Sequence, residues 1–178
     1  MILREPRIED KEEILRIYQE YLSSELIEGV DRFEGIRNLD HLDNLTFEEW
    51  LNELEYYKKE ENLPKDFAPQ TTYLAIEGNK IVGFIDIRWK AVPKLLGMGG
   101  FIGYSIVPSQ RGKGYGSEML RLALKEIPKT KFKKVLITCK DINIASKKVI
   151  EKNNGVLENI YFNEENGYNY LRYWIDIK

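Results

Sequence analysis

Gly112, Gly114 and Gly116 alternate in the stretch PSQRGKGYGSEML (residues 108–120), with Arg111 and Lys113 beside them and a helix-forming run directly after. Glycine lets a backbone come close to a ligand and adopt positive φ. Free amides at a helix N-terminus, with the positive end of the helix dipole, hold phosphate groups. The stretch can therefore cradle an anion. Two familiar phosphate motifs fail here. A Walker loop needs Gly, four residues and then Gly-Lys-Ser/Thr, which is absent, and Gly116 follows Gly114 too soon for the dinucleotide fingerprint. Taken alone, the stretch fits a phosphate cradle and an unliganded glycine-rich turn equally well.

Other residues could do chemistry. Asp86 interrupts an otherwise apolar run and could be a base or a solvent-facing residue. His41 is the single histidine, the one side chain that titrates near neutrality when unperturbed; a loop histidine is more often surface than catalyst. Cys139 is the single cysteine and reads first as a small buried hydrophobe. With one His, one Cys and neither CxxC nor HExxH, no zinc ligand set is expected.

The 178 residues favour one domain, 1–178, with enough apolar content (43%) for a packed core. A net charge of −2 argues against general nucleic-acid binding. No apolar run approaches the roughly 20 residues that span a bilayer, and the first residues lack a signal-peptide core. The expectation is a cytoplasmic protein with no membrane or nucleic-acid partner, monomeric or homodimeric.

The elements that must position these groups follow from patterning. Residues 1–4 suggest a strand, and Ile14, Ile17, Tyr18, Tyr21 and Leu22 have helical spacing. Residues 23–45 are irregular and carry Glu25, Glu28, Asp31, Glu34, Asp40 and Asp43 against Arg32 and Arg37. Thr46 with Glu49 is a capping-box pattern that opens a second helix. Residues 71–89 form two β-type runs around Gly78-Asn79, a tight-turn pair. FIGYSIVP reads as a strand; a helix then runs from about Gly114 to Pro128. VLITC is a strand covered on both faces, and residues 143–153 are a helix closed by Asn154-Gly155. A final antiparallel pair spans 156–163 and 169–177. The order β-α-α-β-β-β-α-β-α-β-β is a mixed α/β fold.

Arg111, Gly114 and Gly116, as Arg-x-x-Gly-x-Gly after a strand ending in Val107-Pro108, resemble the pyrophosphate-binding loop of the GNAT N-acetyltransferase superfamily. GNKIVGFIDIR resembles that family's central hairpin, IGYSIVPSQRGKGYGSEMLRLAL its fourth strand, loop and third helix, and VLITCKDINIASKKVIEKNNG its fifth strand and fourth helix. Residues 71–178 carry the resemblance clearly; residues 1–70 share the element order alone. The IDIR, IGYS, TC-x-x-x-N-x-A-S and RYWID stretches resemble a branch of bacterial acetyltransferases with undefined acceptors.

The resemblance implies a GNAT fold, with a mostly antiparallel sheet splayed between its fourth and fifth strands and acetyl-CoA in the gap. It implies that the backbone of Ile106 and Val107 pairs with the pantetheine arm. The amides of Arg111, Gly112, Lys113, Gly114, Tyr115 and Gly116 would hold the pyrophosphate, with Asn143 and Ser146 contacting the coenzyme across the gap. Asn143 is equally suited to cap its helix. The reaction implied is acetyl transfer to a primary amine on a small molecule or peptide, with no metal. Candidate catalytic groups are Tyr104, Asp141 and Asp86. The chain departs from the family where a tyrosine acid is usual, because Ile150 stands there. The alternative is a non-catalytic acyl-CoA-binding or interaction module. The acidic 23–45 segment suggests a cationic acceptor, such as a polyamine, an aminoglycoside or a basic peptide end, against a solvated acidic loop.

Overall fold

The computed structural model describes residues 1–26, 30 and 32–178. The order of strands and helices is the expected one: β1 (Ile2–Arg4), α1 (Lys11–Ser23), α2 (Phe47–Tyr57), β2 (Gln70–Glu77), β3 (Lys80–Arg88), β4 (Ile102–Ile106), α3 (Tyr115–Glu126), β5 (Lys134–Lys140), α4 (Ile144–Lys152), β6 (Val156–Asn163) and β7 (Tyr168–Asp176). Short helical turns lie between them.

Local chemistry sets most boundaries. Thr46 accepts from the Glu49 amide while the Glu49 side chain accepts from the Thr46 amide, so the capping box forms as read. Gly78 takes φ +60° and Asn79 stays outside the left-handed region, so the first turn residue alone needs glycine. At the end of α4 it is Asn154, at φ +64°, that turns left-handed, and the Gly155 amide bonds back to Ile150.

The strands form two sheets. β1-β2-β3-β4 is antiparallel throughout, and β5-β7-β6 is a second antiparallel sheet. The sheets meet where the Phe101 amide donates to the Leu136 carbonyl at 2.7 Å. Beyond that bond β4 and β5 part, because no ladder joins them among the described residues. This is the splay the resemblance implies.

Strand alternation sends side chains into two cores. Ile85 and Ile87 pack with Met119, Leu120 and Ala123 of α3 and with Val135, Leu136 and Ile137 of β5. Leu74 and Phe84 pack on the other face with Ile14, Ile17 and Tyr21 of α1 and Trp50 of α2. The apolar run of β5 is buried on both faces, as continuous patterning predicts. No helix among the described residues is long and apolar enough to cross a membrane.

Candidate functional site

A cleft of about 370 Å³ opens between β4, the glycine loop, the first turns of α3 and α4, and the segment that joins α1 to α2. It lies in the size range of small-molecule sites.

Its floor follows from strand register. In an antiparallel pair, alternate residues direct both backbone groups at the partner strand. The Val107 amide bonds to the Val82 carbonyl and the Arg88 amide to the Phe101 carbonyl. In that register Ser105 and Gly103 also face β3. Ile102, Tyr104 and Ile106 therefore turn their backbone groups toward the splay, where an extended ligand arm can pair with them. Val107 does not belong to this set. Its amide is held by Val82, its carbonyl by the Gln110 amide, and its side chain is buried.

The loop closes one end. Gly112 and Gly114 take φ of +77° and +83°, and Gly114 is the N-cap of α3. Among the described residues, no turn or loop bond uses the amides of residues 112–117. Such donors at a helix N-terminus can hold an anion. Arg111, Gly112, Gly114, Tyr115 and Gly116 line the cleft. A Cβ on Gly116 would lie 3.1 Å from Val149, so this glycine lets α3 approach α4. Lys113 departs from the expectation for its side chain, whose amine folds back onto the Ser109 carbonyl and Gln110 Oε1.

On the far wall, Asn143 caps α4 through the Ser146 amide at 3.0 Å, and it also lines the cleft. The Tyr104 hydroxyl crosses the gap to Ser146 Oγ at 2.8 Å. Burial, partly countered by that bond, pushes the phenol well above its ordinary value and keeps it protonated near neutrality. Ser105 points to the opposite face, where its hydroxyl meets that of Tyr21 at 2.5 Å.

The other candidates lie elsewhere. Asp86 is 2% exposed and faces the α1/α2 core. It accepts from Thr72 at 2.5 Å and is not part of the cleft lining. Burial lifts its carboxyl to about 6, against the pull of Arg88, the Thr72 bond and Arg37. Asp141 sits beyond β5, where it accepts from the Asn169 amide group at 2.9 Å, and it too is not part of the lining. His41 bonds Glu53 on the surface. Cys139 is buried, and burial raises its thiol to about 11, which suits a packed residue rather than a nucleophile. Ile150 is fully buried.

Asp86 gives a stability prediction. Its folded pKa exceeds the unfolded one, so folding favours the protonated acid. That stability is full below about pH 4 and is lost as pH rises to about 6. The loss is roughly 3 kcal/mol for a two-unit shift. Asp86→Asn removes it, so urea midpoints should show the variant gaining on the parent between pH 4 and pH 8. An unchanged difference between the two pH values would refute this electrostatic account.

The structure also brings in residues that the sequence reading did not single out as site residues. Arg32 and Glu34 line the cleft from the α1–α2 connection, as do Thr138 and Lys148 from the opposite side. Phe33 stacks on Tyr18 at 5.4 Å, and the Arg32 guanidinium bonds the Tyr21 and Ser24 carbonyls. The next glycine explains the placement. Gly35 has φ +75°, and a Cβ there would fall 2.2 Å from both Tyr104 N and Tyr104 Cα. The connection thus lies directly on β4. Of its acidic residues, Asp43 is engaged by the Tyr18 hydroxyl at 2.5 Å, Glu25 and Asp40 are exposed, and Glu28 and Asp31 lie outside the described residues. Nothing in the sequence distinguishes this contact, because Glu34-Gly35 is one of two Glu-Gly pairs in the segment, with Glu28-Gly29.

A family model described as an acetyltransferase (GNAT) domain matches residues 1–156. No curated protein sequence matches the chain. Among solved structures, an N-acetyltransferase from Staphylococcus aureus Mu50 superimposes with a TM-score of 0.61 at 18% identity, covering 99% of this chain and 98% of that one. RimJ of Mycobacterium smegmatis, solved with CoA-disulfide, gives 0.65 at 18% identity over 98% and 80%. The microcin C7 self-immunity acetyltransferase MccE, solved with acetyl-CoA and AMP, gives 0.66 at 16% identity over 98% and 91%. At these identities the likeness is one of fold. No group of His, Cys, Asp and Glu suited to a metal occurs among the described residues.

Proposed function

Given that the chain belongs to the GNAT acetyltransferase family, we propose that it transfers an acetyl group from acetyl-CoA to a primary amine. The observation that carries this reading is the cleft itself, with unpaired amides at one end and the free edge of β4 along its floor. A pyrophosphate fits the amides of residues 112–117, with Arg111 and Lys148 adding charge. A pantetheine arm fits the edge presented by Tyr104 and Ile106. Two relatives of the same fold were solved with CoA-disulfide and with acetyl-CoA, which supports the assignment.

The chemistry asks little of side chains. Holding amine and thioester in line removes much of the barrier. A backbone amide of the β4 edge polarises the thioester carbonyl. The amine nitrogen bonds to that carbon, the C–S bond breaks, and the departing thiolate takes a proton. Tyr104 is the proposed donor, because its side chain crosses the gap from β4 in the cleft lining while Ile150 cannot donate.

The test is acetyl-CoA consumption against a panel of a polyamine, an aminoglycoside, an amino acid and a short basic peptide. At least one is expected to be turned over, and Tyr104→Phe should lower kcat about 10²-fold with the KM for acetyl-CoA unchanged. A protein that binds acetyl-CoA and acetylates none of them is instead a non-catalytic acyl-CoA-binding module. The panel also tests the acceptor's charge. Among the described acidic residues of the 23–45 segment, Glu34 is the one that lines the cleft, with Arg32 also in the lining, and it is the support for a cationic acceptor.

A further inference from the structure

We infer that Glu34 is the group that takes the proton from the incoming ammonium. The inference rests on the amine-acetylation reading and names the base that reading lacks.

Three observations converge on this residue. Glu34 lines the cleft together with Ile102, Gly103, Tyr104 and Ser105 of β4. Its neighbour Gly35 is pressed onto the Gly103–Tyr104 backbone so closely that no Cβ fits between them. That contact fixes Glu34 beside the strand edge assigned to the thioester. Its charge is also felt from three strands at once, by Tyr104 of β4, Cys139 of β5 and Arg88 of β3. The cleft lining that holds Glu34 also includes Thr138 of β5, so the residue shares the gap with both splayed strands. The side chain is exposed, so an acceptor can reach it. Among the described residues, the charged groups near it include Arg32, Arg111 and Lys148 of the cleft lining and Arg88 on β3, with Arg37 and Asp86 close to Arg88. The two other carboxylates considered for the role, Asp86 and Asp141, are not part of the lining.

The step balances simply. The ammonium R–NH3+ gives one proton to the Glu34 carboxylate and becomes a free amine. Its lone pair attacks the thioester carbon, the C–N bond forms and the C–S bond breaks. The second nitrogen proton is lost as the amide forms, and the thiolate gains one to leave as CoA thiol. The proton on Glu34 then passes to solvent.

A general base matters only while the nucleophile arrives protonated. Glu34→Gln should lower kcat/KM for an alkylamine of the panel about 10²-fold at neutral pH, while acetyl-CoA affinity stays unchanged. With hydroxylamine, which is already unprotonated at neutral pH, the same variant should fall less than about threefold. The alkylamine loss should also shrink as pH rises toward the amine's own pKa. Equal losses with both nucleophiles would show that Glu34 merely shapes the site, and no loss with either would remove it from the reaction; each result overturns the inference. If the parent protein acetylates neither nucleophile although it binds acetyl-CoA, the amine-acetylation reading fails and the inference fails with it. If the parent acetylates them and the variant does so equally well, the inference alone fails.

Discussion

Gly35→Ala is expected to cripple transfer while leaving the coenzyme site intact. Two costs combine at this position. Alanine at φ +75° is in the left-handed region that side chains disfavour, at about 1–2 kcal/mol. Its Cβ would also lie 2.2 Å from Tyr104 N and Cα and 2.4 Å from Gly103 C. Backbone atoms cannot swing aside as a flexible side chain can, so the α1–α2 connection must lift off β4. Overpacking of this kind costs about 1–3 kcal/mol. Together these predict a loss near 3 kcal/mol, or roughly 6–12 °C in melting temperature for a chain of this size. Lifting the connection also carries Arg32 and Glu34 away from the cleft. A misplacement of about 1 Å can cost 10²-fold in rate, so kcat/KM for the amine should fall by that order while acetyl-CoA affinity changes little. Gly78→Ala is the control. It too has positive φ, at +60°, but nothing lies within 4 Å of its Cβ position. It should lose about 1–2 kcal/mol and no activity. If the two variants behave alike in calorimetry and in turnover, the close approach at Gly35 has no functional weight.

Gly114→Asp should abolish coenzyme binding by a different route. The position has φ +83° and open space around its Cβ, so a side chain there meets no clash and costs only the left-handed backbone strain, about 1–2 kcal/mol. What separates the aspartate from other side chains is the electrostatics. Gly114 caps α3 at the centre of the unpaired amides, and a carboxylate added there both repels a pyrophosphate and competes for its donors. Gly114→Asn separates charge from shape, since asparagine also enters the left-handed region readily. In a titration with acetyl-CoA, the Asn variant should stay within about tenfold of the parent. The Asp variant should weaken by 10²-fold or more, about 2.7 kcal/mol. Parent-like affinity in the Asp variant would remove residues 112–117 as the anion site.

The two variants divide the cleft into halves that were unequally legible. The half proposed for the coenzyme is local. Its glycines, its strand and its helix are consecutive, and positive φ at Gly112 and Gly114 and the Asn143 cap are properties of a few neighbouring residues. The capping box at Thr46 was readable for the same reason. The rest of the cleft, proposed for the acceptor, is assembled from distant pieces. Tyr21 meets Ser105, Gly35 meets Tyr104, and Tyr104 meets Ser146, each pair far apart in the chain. Asp86 shows the same limit from the other side. An acid in an apolar strand reads equally as a base or a surface group, and only the α1/α2 layer covering that face turns it into a buried, raised carboxyl.

By itself, then, the amino-acid sequence determined the order of the elements and the conformation of the glycine loop, because periodicity, caps and glycine conformations act over a few residues. Tertiary structure alone decided which face of β4 meets the cleft, that Val107 is turned inward, and that Glu34 rather than Asp86 stands at the gap. Those outcomes depend on strand register and on one backbone crossing between remote segments, and no short stretch of sequence encodes either.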